Sequence, residues 1–247
     1  MKRLLLFLPL LLLFGCNVSE DCVKSSGSMR TKDFAATPFN KVYVYPNISL
    51  VIKMGDDYSI TAKAGSNIID DISVEIKNGS LELRDNSGCN LSRQYGNKTV
   101  YITTPHLPEF EIYSNTGQKI SSDGTITHDI FRLYAMDYFG GVGTGDFTVD
   151  VNNNQLVVQS NNISIFKVTG QTQQMLLDFY DDLSRFEGAD FLANDIKIFQ
   201  RSANDMIIHP VQSLSGDIYS TGNVLCKTHP AEVNVVKHYI GRLIYVE

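Results

Sequence analysis

A strand-and-corner unit that recurs about every twenty residues constrains this chain more than any other feature. Phe110-Glu111-Ile112-Tyr113-Ser114 is echoed by Phe131-Arg132-Leu133-Tyr134-Ala135 and then by Leu156-Val157-Val158-Gln159-Ser160. Leu176-Leu177-Asp178-Phe179-Tyr180, Ile196-Lys197-Ile198-Phe199-Gln200, a degenerate Leu214-Ser215-Gly216-Asp217-Ile218 and Val233-Asn234-Val235-Val236-Lys237 follow. Aligned this way the units start 21, 25, 20, 20, 18 and 19 residues apart, the longest step carrying an extra strand-like run, Asp146 to Val151. One such unit cannot bury its own apolar face, so units at a fixed pitch must stack and share a core. Polar corners follow each strand, among them Asn115-Thr116-Gly117, Asn161-Asn162, Asp181-Asp182 and Ser220-Thr221-Gly222-Asn223, residue types that accept turn geometry. A second short strand comes next, as in Ser164 to Val168 or Met206 to His209. Strand, corner, strand, corner without two-residue hairpin loops predicts a parallel β-helix rather than a sandwich.

The preceding segment is also all β, with a different rhythm. From Lys41 the apolar residues alternate with period two in Val42 to Tyr45, Ser49 to Lys53, Tyr58 to Ala62, Ile72 to Ile76 and Ser80 to Arg84. Turn signals separate these runs, among them Pro46-Asn47, Gly65-Ser66-Asn67 and Asn78-Gly79. No helical stripe of ten residues or more appears. The expected organisation is an N-terminal strand section over 34–104 followed by coils of about 20 residues over 105–247.

The first fifteen residues are of another kind. Lys2-Arg3, an apolar run from Leu4 to Phe14 and a small Gly15 make a secretory signal too short to span a bilayer, which needs roughly 20 apolar residues. Cys16 directly after Gly15 gives the segment the form of a bacterial lipoprotein signal, with 1–15 removed and Cys16 acylated. Several acyl chains anchor a protein firmly, since each buried methylene contributes about 0.8 kcal/mol. Residues 16–33 read as a tether to the domain at 34–247. Glu20-Asp21 within it resembles the acidic export signals of Bacteroides surface lipoproteins, and both a surface and a periplasmic placement remain open.

Charge and cysteine usage narrow the chemistry. The chain holds 21 Lys and Arg against 27 Asp and Glu; without Lys2 and Arg3 the balance is 19 against 27, or -8. That excludes the clustered cations that nucleic-acid binding requires. Beyond Cys16 there are Cys22, Cys89 and Cys226. Cys22 and Cys89, in polar surroundings, are candidates for a disulfide, and Cys226 reads as a small buried residue on a strand. Five His, at 106, 128, 209, 229 and 238, lack metal-site spacing and read as surface or corner residues, so no metal or cofactor is expected from them. Gly140 to Gly145 is followed by a strand rather than a helix and reads as a corner, not a phosphate cradle.

Order and spacing carry a resemblance. Phe39-Asn40-Lys41-Val42, Leu50-Val51-Ile52 before Gly55, Gly65-Ser66-Asn67-Ile68 and Asn78-Gly79-Ser80-Leu81-Glu82-Leu83 are similar to the opening half of the head GIN domain family, the auto-transporter adhesins common among Bacteroidetes lipoproteins. Val100-Tyr101-Ile102-Thr103-Thr104-Pro105-His106-Leu107, then Ile112 to Gly117, and Ser215-Gly216-Asp217-Ile218-Tyr219-Ser220-Thr221-Gly222-Asn223-Val224 with His229-Pro230 match its centre and close. The similarity covers Phe34 to Glu247, although the family's Gly-Ser-Gly corners survive only in fragments. It implies a right-handed β-solenoid and a non-enzymatic adhesion module in the cell envelope, facing a protein or glycan partner.

Two features stand as candidate sites. Asp178, Asp181, Asp182, Glu187, Asp190 and Asp195 are six acids within eighteen residues. They read as solvated corners, with Ca²⁺ binding or a glycan lyase or hydrolase centred on Asp181 and Glu187 as alternatives. Tyr134, Tyr138, Phe139, Phe179, Tyr180 and Phe199 recur on neighbouring units and predict a stacked ladder, with Tyr134, Phe179 and Phe199 on one side of the sheet and Ile112, Leu133, Val158 and Ile198 on the other.

Overall fold

Strands with one apolar side, cut at regular intervals by polar corners, wind into a solenoid. The computed structural model describes residues 24–88, 98–115, 118–137, 144–180 and 183–246. Its strands are β1 (Met29–Phe34), β2 (Lys41–Val44), β3 (Ser49–Met54), β4 (Ser59–Gly65), β5 (Ile72–Lys77), β6 (Ser80–Asp85), β7 (Thr99–Thr104), β8 (Glu109–Ser114) and β9 (Lys119–Ile126). They continue as β10 (Ile130–Ala135), β11 (Gly145–Ser160), β12 (Ser164–Phe179), β13 (Arg185–Gln200), β14 (Met206–Ile218), β15 (Val224–Cys226), β16 (Glu232–Lys237) and β17 (Leu243–Tyr245). A 3-10 turn, Ile69–Asp71, precedes β5.

The coils form two walls. In the first, β6, β2, β8, β10, the second halves of β11 to β14 and finally β16 run parallel, each bonded to the next. In the second, β7, β3, β9, the first halves of β11 to β14, then β15 and β17 do the same. The all-β solenoid expected from the repeat is therefore present. In β11 to β14 the expected corners separate the strands only where the chain leaves the first wall. On the return, β11 to β13 run 16 residues through the bend without breaking. Register shifts between Lys167 and Gly170 and between Glu187 and Leu192 absorb the change of direction while pairing continues.

Register corrects one part of the sequence alignment. Phe110, Phe131, Leu156, Met175, Ile196, Leu214 and Val233 occupy one column. Met175, not Leu176, holds the fourth place, so two of the steps become 19 and 21 residues. A slip of one residue moves every side chain of a strand to the other side. Phe179, expected beside Tyr134 and Phe199, accordingly points inward, fully buried against Phe166 at 5.9 Å.

The N-terminal section is part of the same stack. β2 lies between β6 and β8, and β3 between β7 and β9, so the chain's first coil is stacked between the coil of β6 and β7 and that of β8 and β9. Three antiparallel pairs close that end: β1 with β4, β4 with β7, and β5 with β6. Asn78-Gly79, with φ of 51° and 76°, makes the tight turn between β5 and β6 that its sequence signals. β1 covers residues 29–33, where the sequence reading placed tether, together with Phe34. Its side chains are mostly exposed, so it lacks the apolar alternation that marks a strand, and backbone pairing with β4 holds it in place. Lys32 and Asp33 make polar contacts with Asp70 and Thr61 on neighbouring segments.

Inside, rings stack along the axis. Phe110 lies 6.2 Å from Phe39 and 6.3 Å from Phe131, and Phe147 is 4.6 Å from Phe166. All are essentially solvent-free. Each such side chain contributes about 1.5–3 kcal/mol by leaving water. The contribution arises only when the neighbouring coil is in place.

Candidate binding face

Residues that alternate with the buried columns point out from the first wall. Tyr43, Tyr113 and Tyr134 come from β2, β8 and β10 and stack in order, 4.7 Å apart in both steps. The Tyr113 hydroxyl donates to Glu111 Oε2 at 2.5 Å, and burial together with that carboxylate holds the phenol protonated well above its usual range. Lys41 lies 3.4 Å from Glu111, and Arg132 bonds Glu109. The Arg84 guanidinium carbon sits 3.4 Å over the ring of Tyr45. In the next two coils the column changes from rings to Gln159 and Asp178. Aromatic residues then resume: Phe199 lies 5.2 Å from Tyr180 and 5.0 Å from Tyr219, and Tyr219 stacks on His238 at 4.1 Å.

Asp178 joins the two aromatic stretches. Its Oδ2 accepts from Gln159 Nε2 at 3.0 Å and from the Tyr180 hydroxyl at 3.2 Å. Burial pushes its pKa up, and the two donors oppose that shift. The other described acids of the candidate cluster lie apart. Glu187, on the second wall, takes Arg185 at 2.9 Å and Lys167 at 3.7 Å. Asp195 accepts from Ser213 Oγ at 2.6 Å on the first wall, and Asp190 lines a depression over the second. Asp181 and Asp182 fall outside the described residues, as do Tyr138, Phe139, Gly140 to Gly143, Cys16, Cys22 and Cys89. Among the described residues no group of three or more His, Cys, Asp or Glu is placed to hold a metal ion.

Cys226 is a free, buried thiol on β15, as its strand context suggested, and burial pushes its pKa up. His238 and His106 lie at the surface opposite Asp217 and Asp129, and His229 stacks on Tyr245 at 3.9 Å. His128 departs from the expected surface position. It is fully buried, with its ring 4.6 Å from that of Phe110 and its Nδ1 accepting from the Leu107 amide at 3.2 Å. Val157 was also not foreseen: it belongs to the outward column between Arg132 and Leu176 yet is 1% exposed. Nothing local marks either residue, since the covering atoms come from neighbouring coils.

The comparisons agree on the fold. Residues 38–230 match the family model described as "Putative auto-transporter adhesin, head GIN domain". The chain belongs to this family. A crystal structure of a putative adhesin from Bacteroides fragilis has the same fold as this head GIN domain: TM-score 0.77 at 17% identity, covering 90% of this chain and 100% of the other. A putative lipid binding protein from Parabacteroides distasonis aligns with TM-score 0.66 at 11% identity, over 91% of this chain and 99% of that one. A putative adhesin from Parabacteroides merdae aligns with TM-score 0.64 at 13% identity, over the same shares of each. No match to a curated protein was found. Among the described residues no helix is long and apolar enough to cross a membrane.

Proposed function

We propose that this protein is a lipid-anchored binding module of the cell envelope, tethered through Cys16, that uses the outer side of its first wall to hold a protein or glycan partner without catalysing a reaction. One observation carries the reading. Aromatic rings pack side by side on the outside of a rigid stack, in register at Tyr43, Tyr113 and Tyr134 and diagonally at Tyr180, Phe199 and Tyr219. Aromatic residues with a polar edge are what contact surfaces favour, and the sheet beneath fixes them before a partner arrives. Asp178 and Glu187 lie on different walls and form no carboxylate pair with each other, and Glu187 is held by Arg185 and Lys167; Asp181, the other acid of the lyase or hydrolase alternative, lies outside the described residues. The acidic balance of the chain disfavours nucleic acid as the partner.

Cells producing the full-length chain supply the test. Attachment to mucin- or matrix-protein-coated wells should exceed that of cells lacking it, and should fall with Tyr113→Ser plus Tyr134→Ser while the amount in the envelope stays constant. Equal attachment with and without the chain would sink the proposal. Protease shaving of intact cells separates the two placements, since a surface protein is cut and a periplasmic one survives.

A further inference from the structure

We infer that the outer side of the first wall, over the second halves of β11 to β14, is a glycan-binding site. This rests on the binding-module reading above and adds where the contact lies and what chemistry fills it. A depression of about 360 Å³ opens there, lined by Gln155, Gln174, Leu176, Asp195, Lys197 and Ser213. A second, of about 520 Å³, shares Gln155 and Gln174 and continues past Asn154 and Gln173 toward β10. Both are of the size that takes a small ligand.

The lining chooses among ligands. Gln155, Gln174, Asp195 and Ser213 lie directly above one another in consecutive coils. At the roughly 4.8 Å spacing of paired strands they present one amide, carboxylate or hydroxyl per step. Gln155 and Gln174 each offer an amide donor and acceptor, and Asp195, which takes the Ser213 hydroxyl, keeps further acceptor capacity; such a column suits a chain of repeating hydroxyl-bearing units. A lipid tail would leave those groups without partners, and unpaired polar groups out of water cost about 1–3 kcal/mol each by protein measurements. A protein interface centre is depleted of charge and enriched in large aromatic side chains, whereas this depression carries Asp195 and Lys197 and its apolar lining is Leu176 with the buried Met175 and Ile196 beneath.

Beside the depression lies the complementary surface. Phe199 is two residues beyond Lys197 on the same side of β13, flanked by Tyr180 and Tyr219, which are 40% and 41% exposed. The apolar face of one sugar unit packs against such a shelf, and the hydroxyls of the units beyond it reach Lys197 and then Gln174, about 13 Å along the strands from Phe199. Asp178, oriented by Gln159 and Tyr180, lies beside Phe199 of the next coil, on the same shelf.

The test uses the full-length chain in detergent, titrated with a panel of neutral and uronic-acid-containing di- to hexasaccharides. Gln174→Ala and Phe199→Ala remove a contact in the depression and on the shelf. Lys167→Ala, on the second wall, is the control, and melting curves confirm that all are folded. The expected result is a saccharide bound with Kd below about 1 mM, weakened at least about fivefold by each first-wall variant and unchanged by the control. If no saccharide binds while producing cells still attach to protein-coated wells, this inference falls and the binding-module reading stands. If a saccharide binds all variants equally, the location is wrong. If neither saccharides nor coated wells are bound, both readings fall.

Discussion

Gly216 offers a sharp test of the coil stacking. It occupies the inward column of Ile112, Leu133, Val158, Leu177 and Ile198, where every other coil up to that point places a large side chain. Its φ is +123°, and a Cβ added there would lie 1.9 Å from the Ile198 carbonyl oxygen of the preceding coil. Gly216→Ala thus carries two penalties. The backbone conformation costs an L residue about 1–2 kcal/mol. Overpacking against a backbone atom that the next coil also holds adds about 1–3 kcal/mol. With about 3.5 kcal/mol as the middle of the summed range, the melting temperature should drop by about 7–14 °C for a chain of this size. Thermal and urea melts of the full-length protein measure it, with Thr148→Ala, an exposed position on β11, as the reference that should shift by less than about 0.5 kcal/mol. If Gly216→Ala melts with that reference, the close approach of the coils at Ile198 is wrong.

Other consequences are checked separately. His128 has its pKa lowered to about 4 from 6.5, chiefly by burial and secondarily by His106. The unfolded chain therefore binds the proton that the folded chain refuses. This contribution to stability is complete above about pH 6.5 and is lost as pH falls toward 4, by up to about 3 kcal/mol. An NMR titration placing the His128 ring above about pH 6 would contradict it. Phe166→Ala removes a ring packed between Phe147 and Phe179 and should cost about 3–5 kcal/mol in urea unfolding, a loss below about 1 kcal/mol being incompatible with the packed interior. Cys16→Ser should abolish incorporation of labelled fatty acid and release the chain from the membrane fraction; continued labelling would place the anchor elsewhere.

The solenoid was legible because its cause is local and repeated: an apolar alternation every twenty residues has few other ways to be buried. Asn78-Gly79 announced its hairpin for the same reason, since the turn demands backbone angles that few residues accept. The order of the first coils was not legible. Whether β2 pairs outside β6 or between β6 and β8 is a choice between distant partners that leaves no local mark. The assignment of Phe179 failed because Leu176 and Met175 are both apolar, and either one satisfies the repeat. Only contact with Leu156 distinguishes them. On the candidate face, the rings could be read from the sequence but their side of the wall required the register. The column of Gln155, Gln174 and Asp195 gave no signal, because polar residues on a strand look alike whether they face bulk water or a ligand.

The outer side of the first wall is proposed as the working surface. Hydrogen exchange of the full-length chain, free and attached to whatever surface its cells adhere to, tests this most directly. The account predicts slowed exchange in peptides covering residues 155–160, 174–180, 195–200 and 213–219. Protection confined to 119–126, 145–151 and 164–169, on the second wall, would contradict it.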